Sequence, residues 1–124
     1  MNRGEVVAFP PYDIFLTRTK SLTTCIEEAA AAGRDRPNKT WVWDEDQIEI
    51  RIGKRRIGSL REFYRRIDGV IQTCKDDQLP RDDWAKATLH PMPGTLYIDT
   101  VKVVNECLRA GLTQLSFAGA PADS

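Results

Sequence analysis

The run Ile48-Glu49-Ile50-Arg51-Ile52-Gly53-Lys54 leaves a chain few options. Apolar and charged residues alternate strictly, so one face of an extended segment is apolar and the other wet. Gly53-Lys54 then suits a tight hairpin, and Arg56-Ile57 can return as a short further strand. Ser59-Leu60-Arg61-Glu62 follows at once as a capping box, in which Ser caps the helix and Glu reaches back. Leu60, Phe63, Ile67, Val70, Ile71 and Cys74 recur at helical spacing behind it. A one-faced strand feeding an amphipathic helix demands a sheet covered by helices on one side only.

The rest of the chain extends that unit. Trp41-Val42-Trp43 reads as a β-favouring run closed by the turn Asp44-Glu45-Asp46. Ala85, Ala87 and Leu89 alternate with Lys86, Thr88 and His90 as another half-buried strand. Thr95 is placed to cap a second helix, with Tyr97, Val101, Val104 and Leu108 as its buried stripe. Ala110-Gly111-Leu112 stops it with Gly at the left-handed position. Leu115 and Phe117 alternate with Gln114 and Ser116 in a last strand. The expected order is β-β-(β)-α-β-α-β, an α+β two-layer sandwich whose mixed sheet carries two helices on one face, the intervening crossovers being right-handed.

Residues 1–39 look different. Val6-Val7-Ala8-Phe9 is a short strand candidate stopped by Pro10-Pro11, and Tyr12 to Lys20 shows no clear period. Thr24-Cys25-Ile26-Glu27 matches a capping box, and the good helix formers to Ala32 end at Gly33. The reading is an arm or linker with one short helix over 1–39, a folded domain over 40–118, and a small polar tail over 119–124.

Charge and chemistry exclude several classes. The 124 residues hold 18 Lys+Arg against 18 Asp+Glu, a balance that argues against nucleic acid as the main partner. No apolar stretch approaches the roughly 20 residues of a membrane span. The three cysteines, Cys25, Cys74 and Cys107, have neither zinc spacing nor an even count. Cys74 and Cys107 read as small core residues whose helix ends leave a disulfide open, and Cys25 reads as exposed. His90, the single histidine, reads as a surface residue. Asp76, Asp77, Asp82 and Asp83 lack the ligand pattern of a calcium loop. No phosphate-cradling or nucleophile motif occurs. Trp41 and Trp43 share one face, either as core or, turned to the open side, as a docking patch. A non-catalytic binding domain without metal or cofactor is expected. Its exposed sheet edges suit strand addition, with Val6, Val7, Phe9, Leu115 and Phe117 as candidate contacts.

Ala87-Thr88-Leu89-His90, followed by Tyr97-Ile98-Asp99-Thr100-Val101-Lys102-Val103-Val104-Asn105-Glu106-Cys107-Leu108-Arg109-Ala110-Gly111-Leu112-Thr113-Gln114-Leu115-Ser116-Phe117, resembles the C-terminal part of the ExbD/TolR family of biopolymer transport proteins. Trp41 to Gly53 and the capped helix from Ser59 are similar in pattern to that family's hairpin and first helix. The resemblance spans roughly residues 40–118. It implies a periplasmic domain of a proton-driven inner-membrane component. Such proteins form dimers within an ExbB/TolQ-type channel, act on a TonB- or TolA-type partner, and in TolR-like members bind peptidoglycan. The family's proton-carrying Asp lies in a transmembrane helix, for which this sequence offers no counterpart, so no functional residue carries over. The alternative is a small-ligand or regulatory module of similar β-α topology, which needs a concave pocket with convergent polar groups.

Overall fold

In the computed structural model, residues 12–33 and 41–118 are described. Strands β1 (Tyr12–Arg18), β2 (Ile48–Ile52), β3 (Arg55–Ile57), β4 (Lys86–Pro91) and β5 (Gln114–Phe117) form one mixed sheet in the order β3-β2-β1-β4-β5. β2 is antiparallel to β1 and to β3, while β1 and β4, and β4 and β5, run parallel. Helix α1 (Leu22–Ala32) follows β1, α2 (Leu60–Asp76) and the short α3 (Arg81–Trp84) precede β4, and α4 (Tyr97–Ala110) links β4 to β5.

The α+β class and the one-sided sheet are as expected. Tyr12, Ile14 and Leu16 of β1, Ile48, Ile50 and Ile52 of β2, and Ala87 and Leu89 of β4 are buried in a single cluster. Phe63, Ile67, Ile71 and Cys74 of α2 join them there, with Val103, Cys107 and Ala110 of α4. The opposite face presents Asp13, Phe15, Arg51, Thr88 and His90, which are exposed or half-buried.

The first strand differs from expectation. Trp41-Val42-Trp43 is not a strand; the central strand is Tyr12–Arg18, within the stretch read as aperiodic arm. Its alternation is masked because Phe15 stands on the wet face, so Ile14-Phe15-Leu16 reads as a continuous apolar run. Phe15 is accommodated there by neighbours in register. Its ring stacks on His90 at 4.4 Å and 15°, and the Arg51 guanidinium lies 5.9 Å from its centroid.

Helix starts follow local hydrogen bonding. Ser59 Oγ accepts from the Glu62 N–H, as expected, while Glu62 reaches one residue further and accepts from Gly58 N–H. α1 is capped earlier than the Thr24 box implies, by Ser21, whose side chain accepts from Thr24 N–H. α4 starts at Leu96 rather than on a Thr95 cap: the Asp99 carboxylate accepts from Leu96 N–H, and the Thr95 hydroxyl donates to the Leu16 carbonyl. Gly111 ends α4 at φ 111°, a left-handed position that penalises any residue with a Cβ. Between α2 and β4 the chain forms the short helix α3, which the sequence did not indicate and whose Trp84 is buried.

The buried stripe of α4 also needs correction. Asp99, Val103, Cys107 and Ala110 face the core. Tyr97 is 85% exposed and Leu108 49%, while Val101 and Val104 are half-buried. Both stripes have helical spacing, and the charge on Asp99 disguised the one that is buried.

Candidate functional site

Asp99 is fully buried, and its partners account for it. Arg18, the last residue of β1, donates from Nε to Asp99 Oδ2 at 2.9 Å and from Nη2 to Oδ1 at 3.3 Å. Trp43 Nε1 donates to Oδ1 at 2.7 Å, and Leu96 N–H to Oδ2 at 2.8 Å. The Arg18 and Asp99 side chains are 3% and 0% exposed. The remaining guanidinium protons go to the Lys20 carbonyl and to Gln47 Oε1, with Cys25 Sγ at 3.6 Å. Burial works against the Arg18 charge, but the Asp99 and Cys25 contacts outweigh it and raise its pKa.

This knot is chemically rich yet spent. A carboxylate with each oxygen already bonded twice has nothing left to offer a substrate. Its work is structural. It fastens the 41–47 segment and the start of α1 to the end of the sheet. There Trp43 Nε1 reaches Asp99 and Trp41 Nε1 reaches Gln47 Oε1. The two tryptophans are half-buried clamps over the ion pair, neither a strand nor a patch on the open face. An acid inside an apolar stripe, with an Arg ending a strand, was the available sequence signal.

The other reactive groups are also occupied. Cys25, Cys74 and Cys107 are free and buried, which corrects the exposed reading of Cys25. Burial pushes the Cys107 thiol up to about 12, with Glu106 adding to it, and also raises Cys74, helped by Asp77 and Asp83. Neither thiol is a nucleophile at neutral pH. His90 is half-buried, with Nε2 3.0 Å from Asp13 Oδ1. Among the described residues no group of three or more His, Cys, Asp or Glu could hold a metal ion. No helix among them is long and apolar enough to cross a membrane. An open groove of about 320 Å³ lies between α1 and the Trp41 segment, lined by Cys25, Glu28, Ala29, Trp41 and Asp44 among others.

What is left unspent is an edge. Beyond β5 the described residues add no further strand. Leu115 pairs with Ala87 and Phe117 with Leu89, so both point to the helical side. Leu115 packs partly against the core, but Phe117 is 52% exposed because the core ends before it. Thr113 to Ala118 contains no charge and no proline. The candidates Leu115 and Phe117 are therefore together on one edge, while Val6, Val7 and Phe9 lie outside the described residues.

Comparison with protein-family models, with curated proteins and with solved structures gives no match.

Proposed function

We propose that this chain is a periplasmic binding domain of an inner-membrane transport component coupled to the proton-motive force, taking a strand from a TonB- or TolA-type partner at the β5 edge. The observation that carries it is the uncharged β5 edge, with Phe117 half exposed beside it. Strand addition satisfies the unpaired N–H and C=O groups of such an edge and gives Phe117 a neighbour. The saturated Arg18–Asp99 knot supports the same reading, since the most reactive-looking residues are consumed internally. The setting rests on the resemblance of Tyr97 to Phe117 to the ExbD/TolR family, which also implies an ExbB/TolQ-type channel and, in TolR-like members, peptidoglycan.

The test is a titration of isotopically labelled protein with the C-terminal domain of a TonB- or TolA-type protein, followed by amide chemical shifts. Shifts concentrated in Gln114–Phe117 are expected, and Ser116→Pro abolishes them by blocking the ladder. Shifts confined to the groove between α1 and Trp41 would instead favour the small-ligand module, the reading that groove supports.

A further inference from the structure

The open face of the sheet holds a row of side chains in register. Arg56 of β3 stands opposite Arg51 of β2, Arg51 opposite Phe15 of β1, and Phe15 opposite His90 of β4. Their neighbours along the strands, Ile57, Ile50, Ile14 and Leu89, are buried on the helical side, so the four members of the row point the other way. With strands about 4.8 Å apart, the row runs roughly 14 Å across the sheet.

Two arginines directly opposite one another on adjacent strands repel. The fold neutralises this pair only in part. Arg56 meets Glu49 at 3.6 Å with its side chain 75% exposed, and Arg51 has no carboxylate partner among the described residues. Arg51 is nonetheless held in place, because its guanidinium lies over the Phe15 ring, which in turn stacks on His90. A guanidinium laid on an aromatic ring keeps its N–H donors free at the rim for an oxyanion. The pair is thus a standing repulsion that an anion seated between the arginines relieves.

The kind of anion follows from what borders the row. Glu49 is level with Thr17 on one side of it, and Asp13 lies two residues before Phe15 on the other. Residues two apart along a strand are about 6.7 Å apart. A partner charged at every step, such as a nucleic-acid backbone or an anionic bilayer, presses its charges against both of these carboxylates. A single carboxylate centred on the arginines avoids them. The point midway between Arg51 and Arg56 is one and a half strand spacings from Phe15, about 7 Å. An extended peptide crossing the strands covers that distance in two residues, at roughly 3.3–3.6 Å each. Residues two apart in such a peptide also point the same way.

We infer that the open sheet face docks an acidic segment of a partner protein, with a Glu or Asp seated between Arg51 and Arg56 and an apolar residue two positions away resting on Phe15 and His90. The β5 edge takes no part in this, so the surface stands whether or not that edge accepts a strand.

A titration of the isotopically labelled full chain with the blocked peptide acetyl-Ser-Glu-Ser-Leu-Ser-amide tests it, followed through backbone amides and arginine Nε–H signals. Shifts at Phe15, Arg51, Arg56 and His90 are expected, with Gln114–Phe117 unmoved. Replacing the peptide's Glu by Gln, or Arg51→Gln in the protein, weakens binding by about five-fold or more. Arg61→Gln, exposed on α2, leaves it unchanged. Arg51→Gln removes a repulsion and so leaves the urea midpoint of the free chain no lower, which separates a lost contact from a lost fold. No shift on the open face at millimolar peptide, or a response indifferent to the loss of the peptide's carboxylate, overturns the inference. A stronger response of the same residues to oligothymidylate or to phosphatidylglycerol vesicles also overturns it, and assigns the face to a polyanion.

Discussion

The two flanks of α4 are built on opposite principles. On one side Asp99, Lys102, Glu106 and Arg109 are each engaged by a neighbour within the fold. On the other, Tyr97 and Leu108 are exposed and Val101 and Val104 half-buried, and none of the four carries a charge. The sheet repeats the contrast at its edges. β3 is short and carries exposed Arg55 and Arg56, the kind of charge that discourages pairing, whereas β5 has none. The lesson is that the reactive side chains are spent inside the fold, while the surface left open beside them is uncharged.

The contrast can be broken most sharply at Asp99. Asp99→Ala strands the Arg18 guanidinium and the Trp43 indole without their acceptor, and a loss of about 3–5 kcal/mol is expected in urea unfolding. A loss under about 1 kcal/mol would mean that the knot holds little together.

A smaller effect comes with alkali. Cys107 has its pKa raised in the fold to about 12, from an ordinary value of 9.0. The folded state therefore holds the proton that the unfolded chain gives up first. Stability is level below pH 9 and falls above it, by on the order of 2 kcal/mol at pH 11. Tyr12 and Cys74 push in the same direction. Denaturant curves at pH 8 and pH 11 should show the loss, and Cys107→Ala should reduce the slope.

Tyr12 sharpens the claim that interior polar groups are satisfied, because its buried hydroxyl has no hydrogen-bond partner. Tyr12→Phe removes an uncompensated group, so a gain of about 1 kcal/mol is expected from its melting curve. A comparable loss would reveal a bond to this hydroxyl. Smallest of all, Arg56→Thr should leave stability within about 0.5 kcal/mol, since its ion pair with Glu49 is exposed. What it should change is light scattering at high concentration, by making β3 more like β5.

Much of the fold was legible because its signals were local. The alternation from Ile48 to Ile52, the Ser59 cap and the stop at Gly111 each depend on neighbouring residues. The failures came where distant partners decide. Phe15 belongs on the wet face only because His90 and Arg51 receive it from other strands. Asp99 can be buried only because Arg18 arrives from β1, and without that knowledge the exposed stripe of α4 is the more apolar choice. Trp41 and Trp43 favour a strand by propensity but are recruited by Gln47 and Asp99. The edge at Leu115 and Phe117 was visible, whereas the neutral flank of α4 beside it was hidden inside a mistaken core.

The central position of β1 has a consequence for how the chain comes together. Its strand is synthesised first, yet Ile14 must find Ile52 on one side and Leu89 on the other. Once β2 has emerged it can cover one edge of β1, but the other edge stays unpaired until the ribosome has released residues through β4. The parallel union of β1 with β4 closes a loop that includes α1, the first hairpin and α2. Such long-range pairing is slow and entropically costly. Folding is therefore gated by the return of β4, and a nascent chain stalled before it exposes the segment Ile14-Phe15-Leu16 to chaperones or to aggregation.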